Sequence, residues 1–181
     1  DAVMVARGDL GVELPLEEVP LVQKRAIQMA RENAKPVIVA TQMLESMIES
    51  SRPTRAEVTD VASAAFGHTD AVMLSAETAV GKFPVEAVAT MDRILRLVEG
   101  YSWKHRYFGK ITELESGKEM KVTSAVSRAA SLLSRDLAVR AVMVPTRSGA
   151  TARIVSSERP AAPVIAVASD PGVCRALALC W

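Results

Sequence analysis

The sequence is poor in several features that would place a protein in a particular class. Only 4% of its residues are aromatic, so the core has to be built from aliphatic side chains and methionine. The formal net charge is +1, which gives no reason to expect nucleic acid or an acidic membrane surface as a partner. No apolar run approaches the roughly 20 residues that cross a bilayer. We therefore expect a globular protein without nucleic acid or membrane partners.

Cysteine is also scarce, with Cys174 and Cys180 as the two examples. Both fall in a segment that we predict to be one helix, at a spacing that keeps their side chains apart. A disulfide framework is therefore not expected, and a reducing, cytoplasmic location follows. A glycine-rich lysine loop of the P-loop type is also lacking, which excludes that kind of nucleotide site.

The sequence does contain a regular alternation of apolar runs and amphipathic segments. In the first hundred residues we predict strands at 2–6, 37–40 and 71–74, and helices at 15–33, 54–67 and from Pro84. Thr54 and Glu57 have the spacing of a capping box for the middle helix. The strands are uniformly apolar, which predicts burial on both faces in a parallel sheet covered by helices.

A polar stretch interrupts this alternation at 101–120 and predicts a connector between domains. Beyond it we expect a helix at 121–135, a strand at 141–144, a helix from Ala150, a strand at 164–167 and a helix from Pro171. The predicted domains are thus 1–100 and 121–181. The chain opens in a predicted strand and closes in a predicted helix, so we expect it to be a piece of a longer protein.

Polar residues follow each of the first three predicted strands. They are Arg7, Gly8 and Asp9 after the first, Thr41 after the second, and Ser75 and Glu77 after the third. In parallel α/β sheets, ligands bind at the carboxyl ends of the strands. These residues therefore predict a binding or catalytic site at one edge of the sheet.

Asp9 is the best candidate for a metal ligand, because Mg²⁺ prefers oxygen ligands and is usually held by one or two carboxylates together with substrate oxygens. The alternative is that Asp9 only caps the next turn. Arg7-Gly8-Asp9 also spells a cell-adhesion tripeptide, but that function needs an exposed loop of a secreted protein. Thr41 and Ser75 could bind substrate or relay a proton through water, or their hydroxyls could merely satisfy backbone groups nearby.

A second candidate site lies at 146–151, where a predicted strand is followed by hydroxyls, a glycine and a helix. Backbone amides and the helix dipole make such a position suitable for a phosphate group, and Arg147 and Arg153 could add positive charge. The alternative is an ordinary helix start with Ser148 as N-cap. His68 and His105 have no partner at metal-ligand spacing and are expected to be surface or loop residues.

Several strings in the sequence closely resemble the pyruvate kinase family and occur in the family's order. They are VARGDLGVE at 5–13, KPVIVATQMLESM at 35–47, PTRAE at 53–57, MLSAETA at 73–79 and GKFP at 81–84. Residues 121–181 resemble the family's C-terminal domain more loosely. The resemblance implies the last three βα units of a (β/α)8 TIM barrel, followed by a smaller α/β domain with a parallel-type sheet.

The resemblance also implies an activity, namely phosphoryl transfer from phosphoenolpyruvate to ADP, giving pyruvate and ATP. By analogy, Asp9 would bind Mg²⁺ or Mn²⁺, and the backbone of Gly8 and Asp9 would meet the substrate carboxylate. Thr41 would bind that carboxylate near the carbon that is protonated. Arg7 would help to shape the site, and Ser75 and Glu77 would support protonation.

Further implications concern regulation and assembly. Residues Thr146, Arg147, Ser148, Gly149 and Thr151 match the loop that binds the phosphate of an allosteric effector, a sugar phosphate or a nucleotide monophosphate. Segment 42–50 resembles a part of the family that packs near a subunit boundary, which implies a homotetramer. The ligands of K⁺, a metal-binding glutamate and a phosphoryl-stabilising lysine lie upstream of the matched part in the family, so this chain alone is expected to be inactive.

The chain departs from the family near the end of one helix. The family usually has Asn at the position of Ser63, and Leu-Asp-Gly at 66–68, where this chain has Phe-Gly-His. Two other functions stay open, a phosphate-effector binding module without chemistry and another metal-dependent barrel enzyme acting on phosphoenolpyruvate or pyruvate. The second of these would not account for the matched strings.

Overall fold

A computed structural model describes residues 2–105 and 121–181 and contains two parallel sheets flanked by helices. The first part consists of β1 (Val3–Ala6), α1 (Arg7–Glu13), α2 (Val19–Glu32), β2 (Val37–Ala40), a 3-10 turn (Glu45–Ile48), α3 (Arg55–Phe66), β3 (Ala71–Met73), α4 (Ala76–Ala79) and α5 (Pro84–Lys104). The second part consists of α6 (Val122–Asp136), β4 (Val142–Pro145), α7 (Ala150–Ser157), β5 (Val164–Val167) and α8 (Pro171–Leu177).

The first sheet has the order β1-β2-β3, with β2 paired in parallel to both neighbours. Val5 lies opposite Val39, and Val39 opposite Val72, so the three strands run in register from one edge of the sheet to the other. Each strand leads into helical segments that return the chain to the start of the next strand. This connectivity brings the residues that follow the strands to the same edge of the sheet.

The core of the first part is aliphatic, as the low aromatic content predicts. Val37, Val39 and Val61 are completely buried, and Met43, Leu44 and Met47 are buried just beyond the end of β2. Residues of α5, among them Met91 and Ile94, pack against the same cluster. The segment that follows β2 is therefore anchored in the core by its own apolar side chains.

Burial on both faces, which the apolar strands predict, is found for β2 and is wrong for β1 and β3. Val3 and Met4 of β1 are 39% and 53% exposed, and all residues of β3 are half-buried. The physical reason is position, because β1 and β3 are the edge strands of a three-stranded sheet.

The second part has a smaller core. β4 and β5 pair in parallel, and Val144 packs with Ala152 and Val155 of α7. One side of this sheet is open, since Met143 is 69% exposed and Ile165 is 47% exposed.

Several predicted boundaries need correction. α1 and α4 lie in segments for which the sequence pattern predicts no helix. α8 ends at Leu177, so the expectation that Trp181 lies in a helix is wrong. α5 extends to Lys104, into the predicted connector at 101–120, and residues 106–120 of that connector lie outside the described residues.

In the described ranges, none of the helices is both long and apolar enough to cross a membrane.

The two parts contact each other through a buried ion pair at the start of β3. Arg159 and Asp70 have side chains that are 2% and 5% exposed, with 2.9 Å between Arg159 Nη2 and Asp70 Oδ2. Arg159 also donates to the carbonyl of His68, and its guanidinium lies 5.2 Å from the centre of the Trp181 ring. Arg31 of α2 donates to the carbonyl of Ser157 at the end of α7. The second part is thus docked on the amino ends of the first sheet, away from the candidate site.

Candidate functional site

The residues predicted from the strand ends lie at one edge of the first sheet. Arg7, Gly8 and Asp9 form the first turn of α1 directly after β1, and Thr41 is the residue after β2. The backbone N–H of Gly8 donates to Thr41 Oγ1 over 2.8 Å, which joins the ends of the two strands. Ser75 and Glu77 follow β3 at the same edge.

Thr41 combines an unusual backbone with a hydroxyl that bonds to the protein. Its φ is +67°, and Gln42 follows with a φ of +51°, so two successive residues occupy the left-handed region. The hydroxyl accepts from Gly8 and donates to the carbonyl of Ala40 over 2.6 Å. The alternative role of this hydroxyl, satisfaction of backbone groups, is therefore present, and the second lone pair of its oxygen remains for a ligand.

Arg7 points into the protein and is 8% exposed. Its guanidinium donates to the carbonyl oxygens of Thr41 and Gln42, to the sulfur of Met43 and to the carboxylate of Asp60. These protein groups occupy the guanidinium, which fits a residue that shapes the site and does not itself contact a ligand.

Glu77 is buried as well, at 3% exposure. One carboxylate oxygen accepts from the backbone N–H of Leu44 over 3.1 Å, and the other from that of Ser75 over 2.7 Å. The carboxylate therefore ties the segment after β2 to the segment after β3. Ser75 is half-buried next to this link.

Asp9 is exposed in the first turn of α1, so its carboxylate is free to meet a ligand at the edge of the sheet. No group of three or more acidic, histidine or cysteine side chains forms a metal site within residues 2–105 and 121–181. One exposed carboxylate suits Mg²⁺ only when the substrate and further ligands complete the shell. Asp9 thus fits the role of a single ligand in a shared site.

The second candidate site begins where β4 ends. Thr146 Oγ1 accepts from the backbone N–H of Gly149 over 3.0 Å, and Arg147, Ser148 and Thr151 are exposed. Gly149 is the N-cap of α7 with a φ of +80°, so the alternative that made Ser148 the N-cap is wrong. A side chain at Gly149 would also approach Val173 and Leu177 to 3.3 Å. Glycine is needed here because the left-handed turn closes against α8.

Arg153 lies in the first turn of α7, where its backbone N–H donates to the carbonyl of Gly149 over 3.0 Å. It lines a small cleft between the two parts together with Lys35, Asp70 and Cys180. His68, which we expected at the surface or in a loop, lies in a loop and is half-buried with its ring 6.2 Å from that of Trp181.

Two contacts at the site were not predicted from the sequence, those of Asp60 with Arg7 and of Glu57 with Ser46. Asp60 pairs with Arg7 although the two are 53 positions apart, and Glu57 accepts from both the N–H and the hydroxyl of Ser46 in addition to its capping bonds. Neither pairing has a local signal, because the partners meet only after α3 packs beside the segment that follows β2.

Comparison with known proteins agrees with the two-part structure. Residues 1–88 match the family described as "Pyruvate kinase, barrel domain", and residues 124–181 match "Pyruvate kinase, alpha/beta domain". Pyruvate kinases from Mycobacterium tuberculosis and Sporosarcina psychrophila are 54% and 50% identical over the whole chain, which covers 37% and 30% of their lengths. A solved pyruvate kinase structure from Cryptosporidium parvum, at 41% identity, superposes with a TM-score of 0.87 and covers 99% of this chain and 36% of that one.

The fold is therefore that of a partial β/α barrel followed by an α/β domain. The chain belongs to the pyruvate kinase family, which the resemblance of the matched strings predicts. It spans about a third of the length of the relatives that it matches.

Proposed function

We propose that this chain is part of a pyruvate kinase, an enzyme that transfers a phosphoryl group from phosphoenolpyruvate to ADP and releases pyruvate and ATP. The observation that carries the proposal is the arrangement of Gly8, Asp9, Thr41 and Ser75 at one sheet edge, in a chain 54% identical to a pyruvate kinase over its whole length. Phosphoryl transfer depends mainly on positioning and charge neutralisation, which such an edge can supply.

Each residue has a task in this proposal. The backbone at the start of α1, at Gly8 and Asp9, meets the substrate carboxylate. The Thr41 hydroxyl turns from the carbonyl of Ala40 and donates to this carboxylate, next to the carbon that receives the proton. Ser75 provides a hydroxyl for that proton transfer. Arg7 and Glu77, whose side chains are buried, hold the segments after β2 and β3 in place.

Asp9 would hold Mg²⁺ or Mn²⁺, and its exposed carboxylate supports this role. The metal, when bound, neutralises charge on the transferred phosphoryl group and on the substrate. Its other protein ligands and those of K⁺ are assigned to the part of the relatives that this chain does not cover. The same reason leads us to propose that residues 1–181 alone do not turn over substrate.

The second part would bind the phosphate of an allosteric effector at Thr146, Arg147, Ser148, Gly149 and Thr151. The left-handed turn at Gly149 and the exposed polar residues around it support this assignment. A homotetramer is proposed for the intact enzyme on the resemblance of segment 42–50. The unpaired cysteines, Cys174 and Cys180, support a cytoplasmic location.

The role of Asp9 is tested by Asp9→Asn in the intact parent protein, with pyruvate formation followed over a range of Mg²⁺ concentrations. The variant should keep its fold and lose most metal-dependent turnover, by about 100-fold or more, because the neutral amide is a poor Mg²⁺ ligand. Asp136→Asn, at an exposed position on α6, is the matched control and should match the wild type. Near-normal activity of Asp9→Asn at limiting Mg²⁺ would contradict the assignment.

A further inference from the structure

The backbone after β2 has a shape that its own sequence does not favour. Thr41 and Gln42 both have positive φ, and neither is a glycine. Side chains disfavour this conformation, so it persists only where the surroundings impose it. In the proposed function, this is the segment that presents the Thr41 hydroxyl to the substrate.

Hydrogen bonds from Arg7 hold Thr41 and Gln42 in this left-handed conformation. Its Nη2 atom donates to the carbonyl oxygens of Thr41 and Gln42 over 2.7 and 2.9 Å, and its Nε atom donates to that of Thr41 over 3.2 Å. Met43, the next residue, is completely buried and touches the same nitrogen through its sulfur. The guanidinium thus fixes the direction of two successive carbonyl groups.

Asp60 balances the buried charge of Arg7. Its carboxylate accepts a hydrogen bond from Nη1, whereas Nε and Nη2 donate to the two carbonyl groups. The Asp60 side chain is 41% exposed, on the rim of the site, and it lies on α3 one turn after the capping box. Because Glu57 of that capping box also binds Ser46, α3 is held firmly against the segment after β2.

We propose that Asp60 is a positioning residue for phosphoryl transfer, acting through Arg7 to hold the left-handed backbone of Thr41 and Gln42 in its binding geometry. The inference rests on the proposed function, and it adds a residue of α3 that does not itself face the substrate. Without Asp60, Arg7 would keep a buried cation with one unpaired N–H group and would be free to turn away from the carbonyl groups.

The test uses the intact parent protein with Asp60→Ala, Asp60→Asn and the control Asp92→Ala. Asp92 forms an exposed ion pair with Arg96 on α5 and therefore matches the loss of a surface carboxylate. Two quantities are measured, namely kcat and KM for phosphoenolpyruvate, and amide hydrogen exchange of the peptide that contains residues 41–44. The thermal midpoint of each variant is recorded as a check of folding.

Asp60→Ala should lower kcat/KM by about 10- to 100-fold, because the Thr41 hydroxyl would no longer be held in its binding position. The same change should speed amide hydrogen exchange in the 41–44 segment. Asp60→Asn keeps an acceptor oxygen for Arg7 and should fall between Asp60→Ala and the wild type. Asp92→Ala should equal the wild type in both measurements.

Wild-type exchange and turnover in Asp60→Ala would overturn the proposal, and so would lowered turnover with unchanged exchange. If Asp60→Ala does not fold, Asp60→Asn is compared with Asp92→Asn, and equality in both measurements would overturn it. If the wild-type protein forms no pyruvate, the proposed function fails, whereas the exchange measurement still decides whether Asp60 holds the segment.

Discussion

At the scale of single residues, the environment of His68 could not be predicted from the sequence around it. It adopts a φ of +61°, in the left-handed region that favours glycine over residues with a side chain. Burial, and then the charges of Arg31, Arg159 and Arg135, lower the pKa of His68 from 6.5 to about 4. The neutral ring packs edge-on against Trp181.

This environment predicts a pH dependence of stability. Between pH 6.5 and about 4 the unfolded histidine binds a proton that the folded one does not, so stability is complete above pH 6.5 and falls as the pH decreases towards 4. We expect the free energy of unfolding of the intact protein to fall by about 2 kcal/mol more in the wild type than in His68→Gln between pH 7.5 and 5. Urea unfolding of both proteins at pH 7.5 and pH 5 measures this change in the free energy of unfolding. Equal losses in both proteins would contradict the lowered pKa.

The residues of the site differ in how far the sequence predicts them. The placement of Asp9, Thr41 and Ser75 at one edge of the sheet is predictable because each follows an apolar strand, and parallel strands bring their carboxyl ends to one edge. The burial of Arg7 and Glu77 was not predictable from the same pattern. Their orientation depends on partners at Asp60 and Leu44, which α3 and the segment after β2 bring near only in the folded protein.

At the scale of elements, α3 has the best-defined start. The predicted capping box of Thr54 and Glu57 is confirmed, with the Thr54 hydroxyl accepting from the N–H of Glu57 and the Glu57 carboxylate accepting from that of Thr54. The same carboxylate binds Ser46, so it joins α3 to the 3-10 turn. Burial raises the pKa of Glu57, but hydrogen bonds from Ser46 and Thr54 outweigh it and leave this pKa below the ordinary value.

Glu57→Ala should therefore lower the free energy of unfolding by about 1–2 kcal/mol at neutral pH. The folded-state pKa is depressed, so the contribution is present above pH 4.5 and is lost as the pH falls below it. Glu86→Ala is the control, since Glu86 is exposed in the first turn of α5, where no side chain makes a capping bond. Urea unfolding at pH 7 compares the two variants, and a difference of less than about 0.3 kcal/mol would contradict the role of Glu57.

The longer elements were predictable and the shorter ones were not. β2 and β5 have the predicted bounds, because each is a compact apolar run between turn residues. α1 and α4 have seven and four residues, too few for an amphipathic pattern to be recognised. Both form where the chain leaves a strand.

At the scale of the whole molecule, the two parts are joined by the buried ion pair of Asp70 and Arg159. Asp70 also accepts from the N–H groups of Val37 and Trp181, so its carboxylate connects β2, β3 and the end of the chain. The ion pair spans 89 positions, from 70 to 159, and nothing in the local sequence indicates it. The division into two α/β parts, by contrast, follows from the interrupted alternation.

Asp70→Ala should uncouple the two parts. Removing one partner of a buried ion pair leaves the other charge uncompensated, which destabilises by about 3–5 kcal/mol. We expect calorimetry of the intact protein to show a separate transition at lower temperature for the second part. Glu49→Ala removes the exposed pair with Lys82 and should change stability by less than about 1 kcal/mol, without a new transition. A transition of unchanged shape in Asp70→Ala would contradict the role of the ion pair.

The most direct test of the whole account is pyruvate release from phosphoenolpyruvate, ADP and Mg²⁺. It is measured for the parent protein, extended upstream with its native sequence, beside residues 1–181 alone. The account predicts turnover by the extended protein and none by the 181-residue chain, because Asp9 is the one metal ligand proposed in this chain and the chain spans about a third of its relatives. An extended protein that folds and forms no pyruvate would contradict the proposed activity and would favour the phosphate-binding alternative.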